Sequence, residues 1–363
     1  MNKIYFFTNI VAPYQIENCL EINERQACEF KIFCYSSSES DRPAYWMHNL
    51  SNKYVKIMRG PVEFIKVSMS LVLNQQDNLN LLVGGFRPFL PFLFWAFASI
   101  FDKFNISIYL EKPLPRGPIR SKLRAIFLRL IFNLFRKIKV ISIGFDAHSY
   151  YGSLGARSLP FIYLLNYTRF SSINKVNLVG GRRRKVLYSG RLSVQHNSDQ
   201  ILKSFLSLAK KYRNIDFVIS SNLISDEYRN ILEAKSSNLM IDDCVYKSWT
   251  ETSTLYENCD LVVVCLRHSG WSYVLQEAIA SGVPVLYSNQ VEAAKWFTIL
   301  GQIGYESEID SDSIVDAISY LANNPKIWDE LIDKVKEFRM SLSYEKDLDQ
   351  FIDLITENST ING

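Results

Sequence analysis

The chain has 363 residues, 48% of them hydrophobic and 21% charged, with a formal net charge of +4 at pH 7. That length exceeds one ordinary core and fits two domains. The composition excludes disorder as the default, and so small a net charge gives no reason to expect nucleic acid as a partner.

The first residues read directly as a strand, without the apolar stretch and small-residue cleavage site of a signal peptide. Short apolar runs predict strands over 4–8, 30–35, 79–83, 106–110, 140–144 and 161–165, alternating with helical patterns over 13–22, 62–73, 88–101 and 119–137. The longest apolar run, 89–101, falls short of the roughly 20 residues a bilayer requires, so no membrane-spanning segment is expected. A polar stretch with Gly180, Gly181 and the basic run Arg182 to Lys185 predicts an interdomain linker over 166–184. Alternation resumes with strands over 186–189, 217–220, 261–265 and 284–287. Helices follow over 198–212, 226–236, 252–258, 274–281, 292–300, 313–322, 326–339 and 344–355. Such alternation implies βαβ units and buried parallel sheets. The expected architecture is α/β, two Rossmann-like domains (1–165 and 185–340) facing across a cleft, with 341–363 forming a C-terminal helix that packs back on the first domain. Ligands of such sheets bind beyond the carboxyl ends of the strands.

Charge is unevenly spread. Between Lys112 and Phe145 there are nine Lys or Arg and no acid, whereas 306–357 is strongly acidic, so one face is expected to meet something anionic. The helix over 119–137 combines Arg120, Lys122, Arg124, Arg129, Arg136 and Lys137 with a wide apolar face. Leu123, Phe127, Leu130, Ile131 and Leu134 form it, and Leu128, Phe132 and Phe135 broaden it beyond one core-facing stripe. Contact with an anionic membrane surface is the expectation, an ordinary packed helix with a basic outer face the alternative.

Several chemistries are absent. The sequence contains no Gly-x-Gly-x-x-Gly, no P-loop, no Gly-x-Ser-x-Gly and no His-Glu-x-x-His. His48, His148, His196 and His268 are scattered, and Cys19, Cys28, Cys34, Cys244, Cys259 and Cys265 show no Cys-x-x-Cys spacing, which reads as buried free thiols in a reducing cytoplasm. Asp310/Asp312 and Asp347/Asp349 are paired, but at helix starts in the acidic region, where capping and solvation account for them. No metal is expected, and an anion site must come from basic side chains and helix ends.

The most informative window runs from His268 through Ser269, Gly270, Trp271, Ser272, Tyr273, Val274 and Glu277 to Gly282, Pro284 and Val285. It leaves an apolar strand, turns at Gly270 and enters a helix. The N–H groups opening that helix around Ser272, Tyr273 and Val274, with the helix dipole, make a phosphate site. Glu277, one turn further in, can accept the two hydroxyls of an attached ribose. This window resembles the signature of the "group 1" family of retaining GT-B glycosyltransferases, which reads roughly Glu-Gly-Phe-Gly-x-x-x-x-Glu-Ala-x-Ala-x-Gly-x-Pro-Val. Gly270, Trp271, Glu277, Ala278, Ala280, Gly282, Pro284 and Val285 match it. Gly190-Arg191-Leu192 is similar to the family's Gly-Arg-Leu, and the segments from Thr8 to Tyr14, 82–86 and 146–151 resemble capsule and O-antigen members.

The resemblance implies a nucleoside diphosphate sugar, UDP- or GDP-linked, as donor, and no cofactor. Arg191 and the helix start would stabilise the departing diphosphate, with Glu277 on the ribose. Transfer would proceed with retention, a leaving phosphate oxygen taking the acceptor's proton. Two positions depart from the family: Ser269 stands where it has a sugar-binding Glu, and His196 where it has a phosphate-binding Lys. Glu111 stands at a strand end where many members carry His and is expected to face the cleft. The implied role is surface polysaccharide synthesis on a lipid-linked saccharide acceptor, peripherally at the inner face of a bacterial cytoplasmic membrane. A non-catalytic homologue serving as scaffold or partner for another transferase, and a nucleotide-sugar epimerase on the same fold, stay open as alternatives.

Overall fold

A computed structural model describes residues 2–8, 11–34, 53–58, 60–73, 79–84, 105–113, 117–170, 183–221, 237–242, 249–256 and 259–356. The predicted helices over 88–101 and 226–236, and most of the predicted linker, lie outside these residues. The chain divides into one compact unit formed by 1–166 with 344–363, and a second formed by 167–343.

The first unit is built on a parallel sheet of β1 (Lys3–Thr8), β2 (Glu29–Cys34), β3 (Val55–Ile57), β4 (Leu79–Gly84), β5 (Asn105–Glu111), β6 (Lys139–Ile143) and β7 (Arg157–Phe161). Their order across the sheet is β3-β2-β1-β4-β5-β6-β7. Strands β1, β4 and β6 read as near-continuous apolar runs because both faces are covered. Helices α2 (Pro61–Leu73), α3 (Pro118–Leu134) and α4 (Phe145–Ser153) precede strands reached by stepping one way across the sheet, whereas α1 (Pro13–Glu24) joins β1 to β2 in the opposite sense. Right-handed crossovers therefore place α2, α3 and α4 on one face and α1 on the other. The burial agrees: Tyr5, Phe7, Leu81 and Val83 pack with Phe64 and Leu71 of α2, and Ile108 and Leu110 pack with Leu128, Ile131 and Phe132 of α3.

The opposite face receives α10 (Tyr344–Thr356), which returns from the second unit. Its Phe351 ring sits 5.7 Å from both Tyr109 and Phe161, and Tyr344 Oη donates to Asn18 Oδ1 at 2.7 Å. Buried Lys139 donates to the Leu354 carbonyl in the helix's last turn, satisfying one of the acceptors a helix end leaves open.

The second unit holds β8 (Arg184–Ser189), β9 (Ile215–Ser220), β10 (Leu239–Asp242), β11 (Leu261–Val264), β12 (Val285–Tyr287) and β13 (Gly304–Glu306), all parallel, in the order β10-β9-β8-β11-β12-β13. Its described helices are α5 (Ser198–Lys211), α6 (Tyr273–Ala280), α7 (Glu292–Leu300), α8 (Ser311–Asn323) and α9 (Pro325–Arg339). The core gathers Ile201, Phe205 and Leu208 of α5, Ile314 and Ile318 of α8 and Trp328 of α9 on one side of the sheet. At the amino edge of β8, Arg184 lies 5.0 Å from the Trp328 ring while its Nη2 bonds Asp329 at 2.7 Å, and Trp328 Nε1 donates to the Asp260 carbonyl at 3.0 Å. Asp310 caps α8, accepting from the N–H groups of Asp312 and Ser313 at 3.1 and 2.9 Å, as expected of a carboxylate at a helix start. Asp347 falls in the first turn of α10. The five described cysteines are buried free thiols, and no helix among the described residues is long and apolar enough to cross a membrane.

Candidate donor site

In the second sheet the chain steps from β8 outward to β9 and β10, then returns to place β11 on the other side of β8. The reversal lies between β8 and β11, and ligands of open α/β sheets bind outside the carboxyl ends of the strands at such a point. The two segments leaving those carboxyl ends carry the predicted donor residues: Gly190 to His196 after β8, and Cys265 to Val274 after β11.

The β8 segment turns at Gly190, whose φ of +149° lies where a side chain is strained. Arg191 follows, exposed, with its carbonyl held by Tyr188 Oη at 2.8 Å and Ser198 Oγ at 3.1 Å. The backbone bearing the guanidinium is thus fixed. His196 is half-buried and its Nδ1 lies 2.6 Å from Ser193 Oγ. Burial, and then the positive charge of Arg191, depress its pKa below the usual histidine range, so the imidazole is neutral at pH 7.

On the β11 side, buried Ser272 caps α6, its Oγ accepting from the Leu275 N–H at 3.3 Å. The first main-chain bond of the helix runs from the Gln276 N–H to the Ser272 carbonyl at 3.2 Å, so the N–H groups of Tyr273 and Val274 precede it. Gly270 is half-buried in the turn. Ser269 forms a parallel bridge with Val291, and its Oγ donates to the Trp271 carbonyl, so the hydroxyl in the family's Glu position is engaged by its own loop. Gln276, fully buried, links Trp271 Nε1 (3.0 Å) to Tyr167 Oη (3.2 Å).

Glu277 is 6% exposed and accepts from Tyr256 Oη at 2.6 Å. Burial pushes its pKa up to about 7, while the Tyr256 hydrogen bond and the Arg169 charge pull the other way. It is a carboxylate poised at the edge of ionisation. Helix α6 stops at Gly282, whose φ of +68° is the left-handed cap position.

Arg191 and His196 thus lie in the segment leaving β8, and Ser269, Gly270, Ser272, Tyr273 and Val274 in the segment leaving the adjacent β11, whereas Glu277 sits inside α6, buried against Tyr256. Glu111 lies in the first unit, at the carboxyl end of β5. Its Oε1 accepts from Tyr163 Oη at 2.5 Å and its carbonyl from Tyr151 Oη at 2.9 Å. Burial first, then Glu111, raises the Tyr163 pKa well above the phenol range, keeping it a donor. A surface groove of about 690 Å³ runs along α2, beside Lys56 and Lys66, and holds none of these residues. Among the described residues no cluster of His, Cys, Asp or Glu is arranged to hold a metal.

Sequence reasoning missed Tyr256, Arg169, Asn197, Asp199 and Arg267. Tyr256 and Glu277 are 21 residues apart, and no local pattern announces their pairing.

Helix α3 also departs in detail from its prediction. Leu128, Ile131 and Phe132 are its buried side, whereas Ile119, Leu123, Ile126, Phe127, Leu130 and Leu134 line the exposed one. Ile131, grouped above with Leu123, Phe127, Leu130 and Leu134 on one apolar face, is core, because a helix of this pitch turns it with Leu128 toward the sheet while the other four stay outside. Ile119 is 74% exposed, Leu123 62% and Leu134 63%.

The sequence model of the family described as "Glycosyl transferases group 1" matches residues 170–338. No curated protein sequence matches the chain. Among solved structures, Anabaena Alr3699/HepE in complex with UDP and glucose superposes with a TM-score of 0.71 at 14% identity, covering 99% of this chain and 100% of that one. Sucrose-phosphate synthase from Thermosynechococcus elongatus gives 0.70 at 14% identity, covering 98% of each chain. WaaG, a glycosyltransferase involved in lipopolysaccharide biosynthesis, gives 0.65 at 12% identity over 98% of this chain and 100% of its own.

Proposed function

We propose that the protein transfers a sugar from a nucleoside diphosphate sugar to a saccharide acceptor; the match of residues 170–338 to the group 1 glycosyl transferase model and the fold shared with solved glycosyltransferases support the reading. The observation that carries this reading is the placement of Arg191 and the amino end of α6 at the carboxyl ends of two adjacent strands, β8 and β11, on either side of the sheet's reversal point. Breaking the anomeric C–O bond develops negative charge on the departing diphosphate. A guanidinium and oriented N–H donors are the groups that meet such charge without reorganising. Glu277, once ionised, accepts the ribose hydroxyls of the same nucleotide. The reading asks for no metal.

The reading includes retention of configuration, as the resemblance implies. The acceptor hydroxyl attacks from the leaving-group side, its oxygen bonds to the anomeric carbon as the C–O bond to phosphate breaks, and a phosphate oxygen takes the proton. The same reading assigns Ser269 to the donor sugar and gives Glu111, at the carboxyl end of β5 in the first unit, a catalytic part. UDP is the first nucleotide to try, since HepE was solved with it.

The acceptor is read as lipid-linked, the role as surface polysaccharide synthesis and the location as the inner face of the cytoplasmic membrane. The outward apolar stripe of α3, flanked by exposed Arg120, Lys122, Arg129, Arg136 and Lys137, supports contact with an anionic bilayer. Helix α2, on the same sheet face, also turns Val62, Ile65, Met69 and Leu73 outward.

Calorimetric titration of the full chain with UDP, GDP and their sugar conjugates tests the donor assignment. Arg191→Ala is expected to lower turnover by about 10²-fold. A loss under about threefold removes Arg191 from the mechanism.

A further inference from the structure

Three segments at the carboxyl edge of the second sheet meet at one side chain. Asn197 is wholly buried at φ 59°, ψ 26°, the left-handed conformation that Asn tolerates better than most residues. Its Nδ2 donates to the carbonyls of Cys265 (3.1 Å) and Ile309 (2.5 Å), and its Oδ1 accepts from Arg267 Nε at 2.9 Å. Arg267 Nη2 in turn reaches both oxygens of Asp199, at 3.0 and 3.3 Å, in the first turn of α5. The segment after β8, the segment after β11 and the approach to α8 therefore close on one amide–guanidinium–carboxylate clasp. Arg191 and His196 lie just upstream of Asn197 in the first segment, and Ser269 to Ser272 lie just downstream of Arg267 in the second.

We infer that Arg267 is a positioning residue of the donor site, setting the spacing between the turn that carries Arg191 and the loop that opens α6. The inference rests on the donor reading given above. The chemistry favours positioning over direct phosphate contact, because Arg267's charge is already met by Asp199 and its donors point in two fixed directions. Nε serves Asn197 and Nη2 serves Asp199, a fork that the single ammonium of a lysine does not reproduce. A diphosphate gripped from both sides depends on that spacing, since small misplacements of charged groups cost large factors. A nucleoside without phosphates does not depend on it.

The test uses the full chain with Arg267→Ala and Arg267→Lys, titrated with UDP and with uridine (GDP and guanosine if the wild type prefers them), together with hydrogen exchange of the ligand-free protein. UDP affinity is expected to fall about tenfold in both variants while uridine affinity changes less than about twofold. Exchange is expected to quicken over 190–196 and 269–272 and to stay unchanged in α9. In an Arg191→Ala background, Arg267→Ala should cost UDP binding less than about twofold, because the group being positioned is gone. Wild-type affinity in Arg267→Lys, additive losses in the double variant, or unchanged exchange in both segments would each overturn the inference. If the wild type binds neither nucleotide, the donor reading falls and the exchange arm alone decides on the clasp. Asn197→Gly keeps the left-handed backbone while removing the amide, and replaces Arg267→Ala should that variant not fold.

Discussion

Nucleotide binding should carry a pH dependence that traces to Glu277. Its carboxyl is buried against Tyr256, and its pKa stands at about 7 in the empty protein. Ribose hydroxyls donate to a carboxylate and not to a carboxylic acid, so binding selects the ionised form. With a pKa near 7 that form is about nine-tenths populated at about pH 8 and about one-tenth at about pH 6, so affinity should fall about tenfold between them, or ~1.4 kcal/mol. Titration calorimetry in buffers of different ionisation enthalpy should register proton release on UDP binding near neutral pH. UDP's own terminal phosphate also titrates, so Glu277→Gln is the reference: it should bind more weakly at alkaline pH and lose the part of the slope that belongs to the carboxyl. The same slope in wild type and variant would refute the argument. The stability consequence has the opposite sense. A carboxyl whose folded pKa exceeds its unfolded value of 4.5 keeps its proton in the fold while the unfolded chain gives it up. Stability therefore falls as pH rises from the unfolded pKa through about 7. At about pH 8 the ionised, buried carboxylate costs on the order of 3 kcal/mol, so Glu277→Gln should melt higher than wild type when no nucleotide is present.

His196→Lys places a cation where burial, and then the Arg191 charge, already depress the histidine; thermal melting should show the nucleotide-free protein slightly less stable, while UDP affinity rises severalfold by titration. Replacing Lys122 and Arg129 together by Glu should weaken flotation with anionic vesicles by more than about tenfold, at about 1 kcal/mol for each basic residue lost, and leave neutral vesicles unaffected. Trp328→Ala removes a ring that is 1% exposed, faces Arg184 and bonds the Asp260 carbonyl; chemical denaturation should report a loss of about 3–5 kcal/mol. Gly304→Ala would set a Cβ 1.8 Å from the Val285 carbonyl oxygen across the β12–β13 pair, and little folded protein should be recovered in a solubility assay.

What could be read from the sequence follows what burial does to composition. The central strands β1, β4, β6, β8 and β11 were legible because each is covered on both faces and becomes a continuous apolar run. Strands β3, β10 and β13 were missed because each is a short edge strand, and in β3 and β13 the side chains are half-exposed or exposed. The apolar run over 161–165 reads as a strand, yet pairing occupies Arg157–Phe161 and the buried Leu164 and Leu165 only extend beyond it. Hydrophobicity reports burial and not ladder bonds. Where a helix is expected over 252–258, the described residues Trp249–Tyr256 form a 3₁₀ turn. In the site, Arg191 and the entry to α6 were visible because turn and cap residues adjoin them. The Tyr256–Glu277 and Asn197–Arg267 contacts were not, since they join residues 21 and 70 positions apart.

The return of α10 to the first unit has a consequence for biogenesis. The second unit is one uninterrupted stretch, 167–343, and can condense as soon as it clears the ribosome, whereas the first must wait for residues synthesised after it. Until then the ledge of Tyr109 and Phe161 that Phe351 will cover stays open to water. The earliest-made half of the molecule is thus the last to mature, and the nascent amino-terminal half is where chaperone protection matters most.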